Sequence, residues 1–369
     1  MDKSWDIFCT VIDNWGDAGV CWRLARQIAA ERGEPVRLWI DDLAPLALLR
    51  PGADPQAGSQ WLDGVEVRRW AAPFPEVAPH AVVIEAFACD PPESFLAAMA
   101  ARTPRPVWLN LEYLSAEAWV EGCHALGSKH PRLPLRRWFF FPGFTAATGG
   151  LLRERGLPAR REAERAAQAG DAAELAVSLF CYDNPALPAL LDAWRDGPPL
   201  TLRVTEGKAR TQVERWLGEP FGPGATARRG ALTLSALPFL DQDGYDRLLW
   251  RCDLDFVRGE DSFVRAQWAA RAFVWHIYPQ DDDAHQAKLD AFLKRYLAGL
   301  PAGPAAALND FWQAWNRGDG PATVAAWPAL RAALPALEAH ARRWAAELAG
   351  QPDLLAQIVE FVDEKRGEA

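Results

Sequence analysis

The sequence predicts an α/β protein built of two consecutive parallel-sheet lobes and closed by a helical tail. Three observations carry that expectation. Strand-like and helix-like runs alternate from residue 5 to about 141, a charged Ala-rich stretch at 153–171 breaks the pattern, and the alternation then restarts and continues to residue 297. Alternation of this kind is the mark of strands paired in parallel with helices covering both faces.

In the first half, 5–12 reads as a strand, 20–31 as a helix, 36–40 as a strand and 43–50 as a short helix. Strands follow at 65–70 and 81–88, a helix at 93–102, and strands at 107–111 and 137–141, the last ending at Pro142-Gly143. The stretch 153–171 is poor in large apolar residues and reads as a linker with some helix. In the second half, strands are predicted at 174–182, 200–205, 231–237, 254–257 and 273–277. Helices are predicted at 187–194, 208–217, 245–251, 261–271 and 284–297. Beyond Pro301 the chain reads as helical at 310–315, 323–334, 339–348 and 354–364. The expected division is a first lobe at 1–152, the linker, a second lobe at 172–338, and helices at 339–369 packing back across the lobes. Trp312, Trp315, Trp327 and Trp344 are expected to pack between the lobes. Two such lobes fit nucleotide-sugar glycosyltransferases and also some two-domain binding proteins, and fold alone does not choose between them.

Composition narrows the classes. Of 369 residues, 50% are apolar and 24% charged, the balance of a globular protein. The net charge of −9 argues against a general nucleic-acid binder, since phosphate contacts need basic surface. Met1 is followed directly by Asp2, Lys3 and a strand pattern rather than a signal peptide, and no apolar run approaches the roughly 18 residues that cross a membrane, so a cytoplasmic location is expected. Cys9, Cys21, Cys89, Cys123, Cys181 and Cys252 form no C-x-x-C pair and read as buried thiols. No metal is expected: Asp281, Asp282 and Asp283 open a helix, where acids complement the dipole without an ion.

Four constellations carry chemistry. The first is Asp13-Asn14-Trp15-Gly16-Asp17-Ala18-Gly19, a tight loop between the first strand and first helix. Gly16 and Gly19 let the backbone turn sharply and approach a ligand. Asp13 and Asp17 stand at the strand-to-helix mouth where open α/β sheets collect ligands. A phosphate loop presents bare amides, so two acids suit a cationic or proton-donating substrate. Their bland roles are an Asx turn for Asp13 and a helix cap for Asp17. The second is Arg258-Gly259-Glu260-Asp261-Ser262-Phe263, which opens a helix after a short strand. Asp261 or Ser262 can cap that helix. Equally, its amides, the Ser262 hydroxyl and the Arg258 fork can hold a diphosphate, while Glu260 would face a sugar hydroxyl or a cationic acceptor. The third and fourth are Phe180-Cys181-Tyr182 and the stretch from Phe239 through Gln242 to Tyr245. Aromatics at strand ends are usually packing, but Phe180, Tyr182, Phe239 and Tyr245 together can form a stacking slot for a planar base whose polar edge Gln242 reads.

These motifs, with Asn110-Leu111-Glu112-Tyr113-Leu114-Ser115 and Phe139-Phe140-Phe141-Pro142-Gly143-Phe144, resemble the bacterial protein-arginine rhamnosyltransferase family over nearly the whole chain. The resemblance implies a GT-B fold of two Rossmann-like lobes. It implies transfer of L-rhamnose, with inversion, from dTDP-β-L-rhamnose as co-substrate to an arginine of translation elongation factor P. It implies no cofactor, no direct nucleic-acid contact and no membrane. Phe180, Tyr182, Phe239, Gln242 and Tyr245 match the thymidine-binding positions; Arg258, Asp261 and Ser262 match those around the diphosphate and ribose. Tyr245 stands where relatives are expected to carry phenylalanine. Asp13, Asp17 and Glu260 match the essential acids, with Asp17 as general base, Asp13 orienting and Glu260 assisting. The first lobe would dock the acceptor, with 110–115 and 139–144 as candidates for shaping that surface. The alternatives are a same-fold enzyme with another nucleotide sugar or acceptor, and a non-catalytic nucleotide-sugar-binding protein.

Overall fold

Trp5–Cys9 (β1), buried along its whole length, lies near the middle of an eight-stranded sheet. In the computed structural model, which describes residues 3–13, 15–167, 174–280 and 284–367, the chain divides into two units. Unit 1 comprises Met1–Arg155 and Ala349–Ala369, and unit 2 comprises Gly156–Leu348.

In unit 1, β1 leads through α1 (Gly16–Arg32) to β2 (Val36–Ile40), then α2 (Ala44–Leu49), β3 (Ser59–Leu62) and β4 (Val65–Arg69). There follow β5 (Val82–Ala86), α3 (Glu93–Ala101), β6 (Val107–Leu111), α4 (Trp119–Cys123), β7 (Gly127–Lys129) and β8 (Arg136–Phe140). The sheet order is β3-β4-β2-β1-β5-β6-β8-β7, parallel except for the antiparallel edges β3 and β7. The central strands are apolar on both faces because both faces are covered. One face packs Ile7, Leu38 and Ile84 with Trp22, Leu24 and Ile28 of α1. The other packs Phe8, Trp39 and Val83 with Phe95 and Met99 of α3.

Unit 2 repeats the plan. After α5 (Leu157–Ala166) come β9 (Leu175–Leu179), α6 (Leu187–Arg195), β10 (Leu200–Val204), α7 (Lys208–Leu217), β11 (Thr226–Arg229) and β12 (Leu232–Ala236). Then come α8 (Gln242–Trp250), β13 (Leu254–Arg258), α9 (Asp261–Ala269), β14 (Ala272–His276), α10 (Ala284–Tyr296), α11 (Ala302–Asn316) and α12 (Gly320–Ala349). The order is β11-β12-β10-β9-β13-β14, with β11 antiparallel.

The structure departs from the sequence expectation in three places: two boundaries and the packing of the tail tryptophans. The stretch expected to be a linker contains α5, which is part of unit 2: Leu157 is buried, and Arg161 and Arg165 donate to the carbonyls of Trp268 and Ala269 at the end of α9. Charged residues are used here to satisfy the open carbonyls of another helix. The tail divides, with 339–348 ending unit 2 while α13 (Leu354–Gly367) packs Leu355, Ile358 and Val362 into the core of unit 1. The tail tryptophans pack inside unit 2: Trp312 donates to the Phe273 carbonyl, Trp315 meets Phe256, Trp327 meets Trp194, and Trp344 donates to Gln267.

Cys9, Cys21, Cys181 and Cys252 are buried thiols. No described helix is long and apolar enough to cross a membrane.

Candidate active site

In an open parallel sheet, the crevice for ligands opens at the carboxyl ends of strands where the winding direction reverses. In unit 1 that point lies between β1 and β5, because the chain winds from β1 to β2 and β4 on one side and from β5 to β8 on the other. In unit 2 it lies between β9 and β13.

At the first switch point sits the acidic loop. Helix α1 begins at Gly16, four residues earlier than expected, so Asp17 lies within its first turn. No side-chain cap closes this terminus. The Asp17 carboxylate reaches backward instead, its Oδ2 accepting the backbone N–H groups of Ile12 and Asp13 at 2.8 and 2.9 Å. Tyr113 donates its hydroxyl to the other oxygen, Oδ1, at 3.3 Å. Asp17 is only 2% exposed. Burial raises its pKa above the usual carboxylate value, the amide bonds oppose that, and Asp13 adds to it. Asp13 folds over Gly16, whose N–H donates to the Asp13 carbonyl at 2.7 Å. A Cβ on Gly16 would lie 3.1 Å from Asp13 Oδ2, so glycine permits this approach. Trp15 precedes α1 and Gly19 donates to its carbonyl at 2.8 Å, while Asn14 lies outside the described residues.

At the second switch point, Arg258 ends β13 and stands over the rings of Phe180 and Tyr182, 4.6 and 4.4 Å from their centroids. Phe180 also meets Tyr245 edge-on at 5.5 Å. Gly259 turns the chain with φ 62°, and α9 starts directly after Glu260, again with no side-chain cap. Ser262 is committed to the backbone of Arg258, accepting its N–H at 3.0 Å and donating to its carbonyl. Its hydroxyl thus rigidifies the turn from which the guanidinium projects. Gln242, buried, donates to Asp261 at 3.4 Å, and the Tyr245 hydroxyl is buried. A buried ion pair, Arg265 with Asp246 at 2.9 and 2.6 Å, ties α9 to α8 and fixes this geometry. Phe239, partly exposed, lies on the short connection from β12 to α8. In unit 2, Arg258 meets the rings of Phe180 and Tyr182, Tyr245 meets Phe180, Ser262 binds the Arg258 backbone, and Gln242 pairs with Asp261; Asp13 and Asp17 form their own constellation in unit 1.

Sequence reasoning missed three neighbours of these groups. His276, the register partner of Arg258 at the end of β14, is buried, and burial followed by the Arg258 charge lowers its pKa to about 3. It packs edge-on against Tyr182, as does Tyr278, which is half exposed. Both lie just where the strand-end rule points. Tyr113 was noticed only as part of a motif. The acidic run at 281–283 lies outside the described residues.

Comparison with known proteins gives the family of the chain. A family profile described as "Elongation-Factor P (EF-P) rhamnosyltransferase EarP" matches residues 5–363. Protein-arginine rhamnosyltransferases of Pseudomonas putida and Pseudomonas aeruginosa are each 52% identical, covering 98% and 97% of this chain and 99% and 98% of their own. That of Shewanella oneidensis is 40% identical over 98% of both chains. A solved structure described as "Structural basis for EarP-mediated arginine glycosylation of translation elongation factor EF-P" is 39% identical, with TM-score 0.68 over 98% of this chain and 99% of that one. Sucrose-phosphate synthase from Thermosynechococcus elongatus, 9% identical with TM-score 0.53 over 99% and 100% of the two chains, shares the fold alone. The chain belongs to the EarP family of protein-arginine rhamnosyltransferases, glycosyltransferases of GT-B fold.

Proposed function

We propose that this chain transfers L-rhamnose from dTDP-β-L-rhamnose to one arginine of translation elongation factor P, inverting the anomeric carbon, in the cytoplasm where that factor works. The observation that carries the reading is Asp17: a buried carboxylate of raised basicity, oriented by two backbone amides, beside a second acid. A guanidinium stays protonated to about pH 12 and its delocalised nitrogens are poor nucleophiles. Asp13 and Asp17 bind and orient it, and Asp17 takes the proton from the attacking nitrogen as the new N–C1 bond forms and the C1–O bond to the diphosphate breaks. Glu260 assists at the sugar.

The donor binds unit 2. Thymine stacks on the aromatic group of Phe180, Tyr182, Phe239 and Tyr245, with Gln242 reading its edge. Arg258 and the amides opening α9 take the diphosphate, Asp261 the ribose, and Ser262 holds the turn. As the leaving group gains charge, Arg258 and those amides stabilise it, the part a metal plays in other transferases.

The test is to incubate the protein with dTDP-β-L-rhamnose and purified elongation factor P and weigh the factor by mass spectrometry. One added deoxyhexose is expected; an unchanged mass rejects the reading. The Asp17→Asn variant should bind dTDP and fold as the parent does while losing transfer. Parental turnover by that variant would reject Asp17 as the base.

A further inference from the structure

The segment Asn110–Tyr113 takes the chain from the last two residues of β6 out of the sheet and is not among the residues assigned to the donor. Its contacts lead to Asp17. Asn110 is fully buried, and its Oδ1 accepts the backbone N–H of Ala88 at 3.0 Å. Next to it, the Leu111 carbonyl accepts the N–H of Phe87 at 2.7 Å. Phe87 and Ala88 are held at φ 58° and 54°, in the left-handed region that side chains with a Cβ avoid. A bulky residue in that conformation persists only where its surroundings hold it there, and such strain gathers at functional sites. Here the strained turn lays the Phe87 ring flat against Tyr113, with centroids 4.2 Å apart and planes 12° apart. The seated Tyr113 then directs its hydroxyl to Asp17 Oδ1, 96 residues away in sequence. Tyr113 is still 36% exposed.

We infer that Tyr113, seated by Phe87 and anchored through Asn110, is a positioning residue for transfer: it fixes the Asp17 carboxylate so that Oδ2 stays on the loop amides and Oδ1 faces the incoming guanidinium. The inference rests on Asp17 being the base. The two oxygens of Asp17 have different tasks. Oδ2 has two amide donors and is spent on structure. Oδ1 has the tyrosine hydroxyl, a rotatable donor that can follow the oxygen as its charge changes during proton transfer. A hydroxyl in this place also favours the charged carboxylate, and the lowering of the Asp17 pKa by Tyr113 agrees in direction. Asp13 from the same loop opposes it, while Cys9 at the end of β1 stays a thiol because the Cys21 side chain and burial, with smaller contributions from Asp17 and Asp41, raise its pKa.

The test compares Tyr113→Phe, Phe87→Leu and Asp17→Asn with the parent in steady-state transfer to elongation factor P. Tyr113→Phe deletes only the oxygen. Its kcat should fall about tenfold or more, the worth of a hydrogen bond to a charged group, with KM for both substrates little changed. Losing a donor to the charged carboxylate should also move the acid limb of the pH profile to higher pH. Phe87→Leu keeps the hydroxyl and unseats the ring, and should move kcat in the same direction by less. A purely structural role would lower the unfolding midpoint without shifting the pH limb. Loss of transfer in Asp17→Asn together with parental kcat and an unshifted limb in Tyr113→Phe would overturn the positioning role and leave the base assignment standing. Parental transfer by Asp17→Asn would overturn both.

Discussion

The guanidinium of Arg258 lies 4.4 Å from the ring centroid of Tyr182, and the Phe180 ring holds it at 4.6 Å. Two aromatic contacts fix a planar cation in a way they cannot fix an ammonium, and they leave its fork in a defined direction. Arg258→Lys keeps the charge and loses both the stacking and the fork. Titration calorimetry with dTDP should show binding weakened by about 1–3 kcal/mol, the range of a charge-assisted contact, with the unfolding midpoint close to that of the parent. Equal affinity would remove Arg258 from the diphosphate site.

Phe239 tests the other end of the nucleotide. It lies partly exposed between β12 and α8, three residues before Gln242. Phe239→Ala should weaken dTDP binding by about 1–3 kcal/mol if thymine stacks there. It should weaken inorganic pyrophosphate binding hardly at all, since that ligand has no base. Equal losses for both ligands would point to a general disturbance of the site.

The central strands were legible because burial on both faces leaves a continuous apolar run, and the candidate site residues were found as motifs at the ends of those runs. β2 and β6 match their expected ranges residue for residue. The edges were not. β3, β7 and β11 are short, polar and mostly exposed, and each pairs antiparallel with one neighbour, so they carry no apolar run at all. The Asp63-Gly64 turn between β3 and β4, with φ 47° and 81°, was the readable signal for one of them. Two glycines made residues 16–19 read as loop, yet α1 begins there because Gly16 admits the Asp13 carboxylate against its first turn. Two expected tail helices are one, α12, which runs through Pro328 and Pro335, both exposed. His276 and Tyr113 were hidden for a different reason. Their importance lies in partners 18 and 96 residues away, and no local pattern encodes a distant contact.

The Asp246–Arg265 pair is nearly inaccessible, with side chains 2% and 1% exposed. Such a pair contributes little net stability when intact, but removing one partner strands a buried charge. Asp246→Asn should destabilise unit 2 by about 3–5 kcal/mol in urea unfolding. Because α8 carries Gln242 and Tyr245 while α9 carries Ser262, dTDP binding should weaken too. Replacing both partners, as Asp246→Leu with Arg265→Met, should recover most of the stability. A single variant as stable as the parent would mean that water reaches Arg265.

Glu85, on β5 in unit 1, has no exposed surface. Burial raises its pKa to about 7 from 4.5, although Arg137 at 2.7 Å and the Trp108 indole N–H at 3.1 Å favour its charged form. An acid with a raised native pKa holds its proton in the folded chain at pH values where the unfolded chain has released it. Between pH 4.5 and about 7 the native state therefore binds more protons, and stability falls as pH rises through that window. The whole loss is on the order of 3 kcal/mol. Glu85→Gln cannot ionise, so its stability should be flatter across the same window, whatever its absolute value. Urea unfolding of parent and variant at about pH 5 and about pH 8 measures the difference in slope. Identical slopes would show that Arg137 holds Glu85 ionised throughout, and the ion pair rather than burial would then set the charge on this face of the sheet.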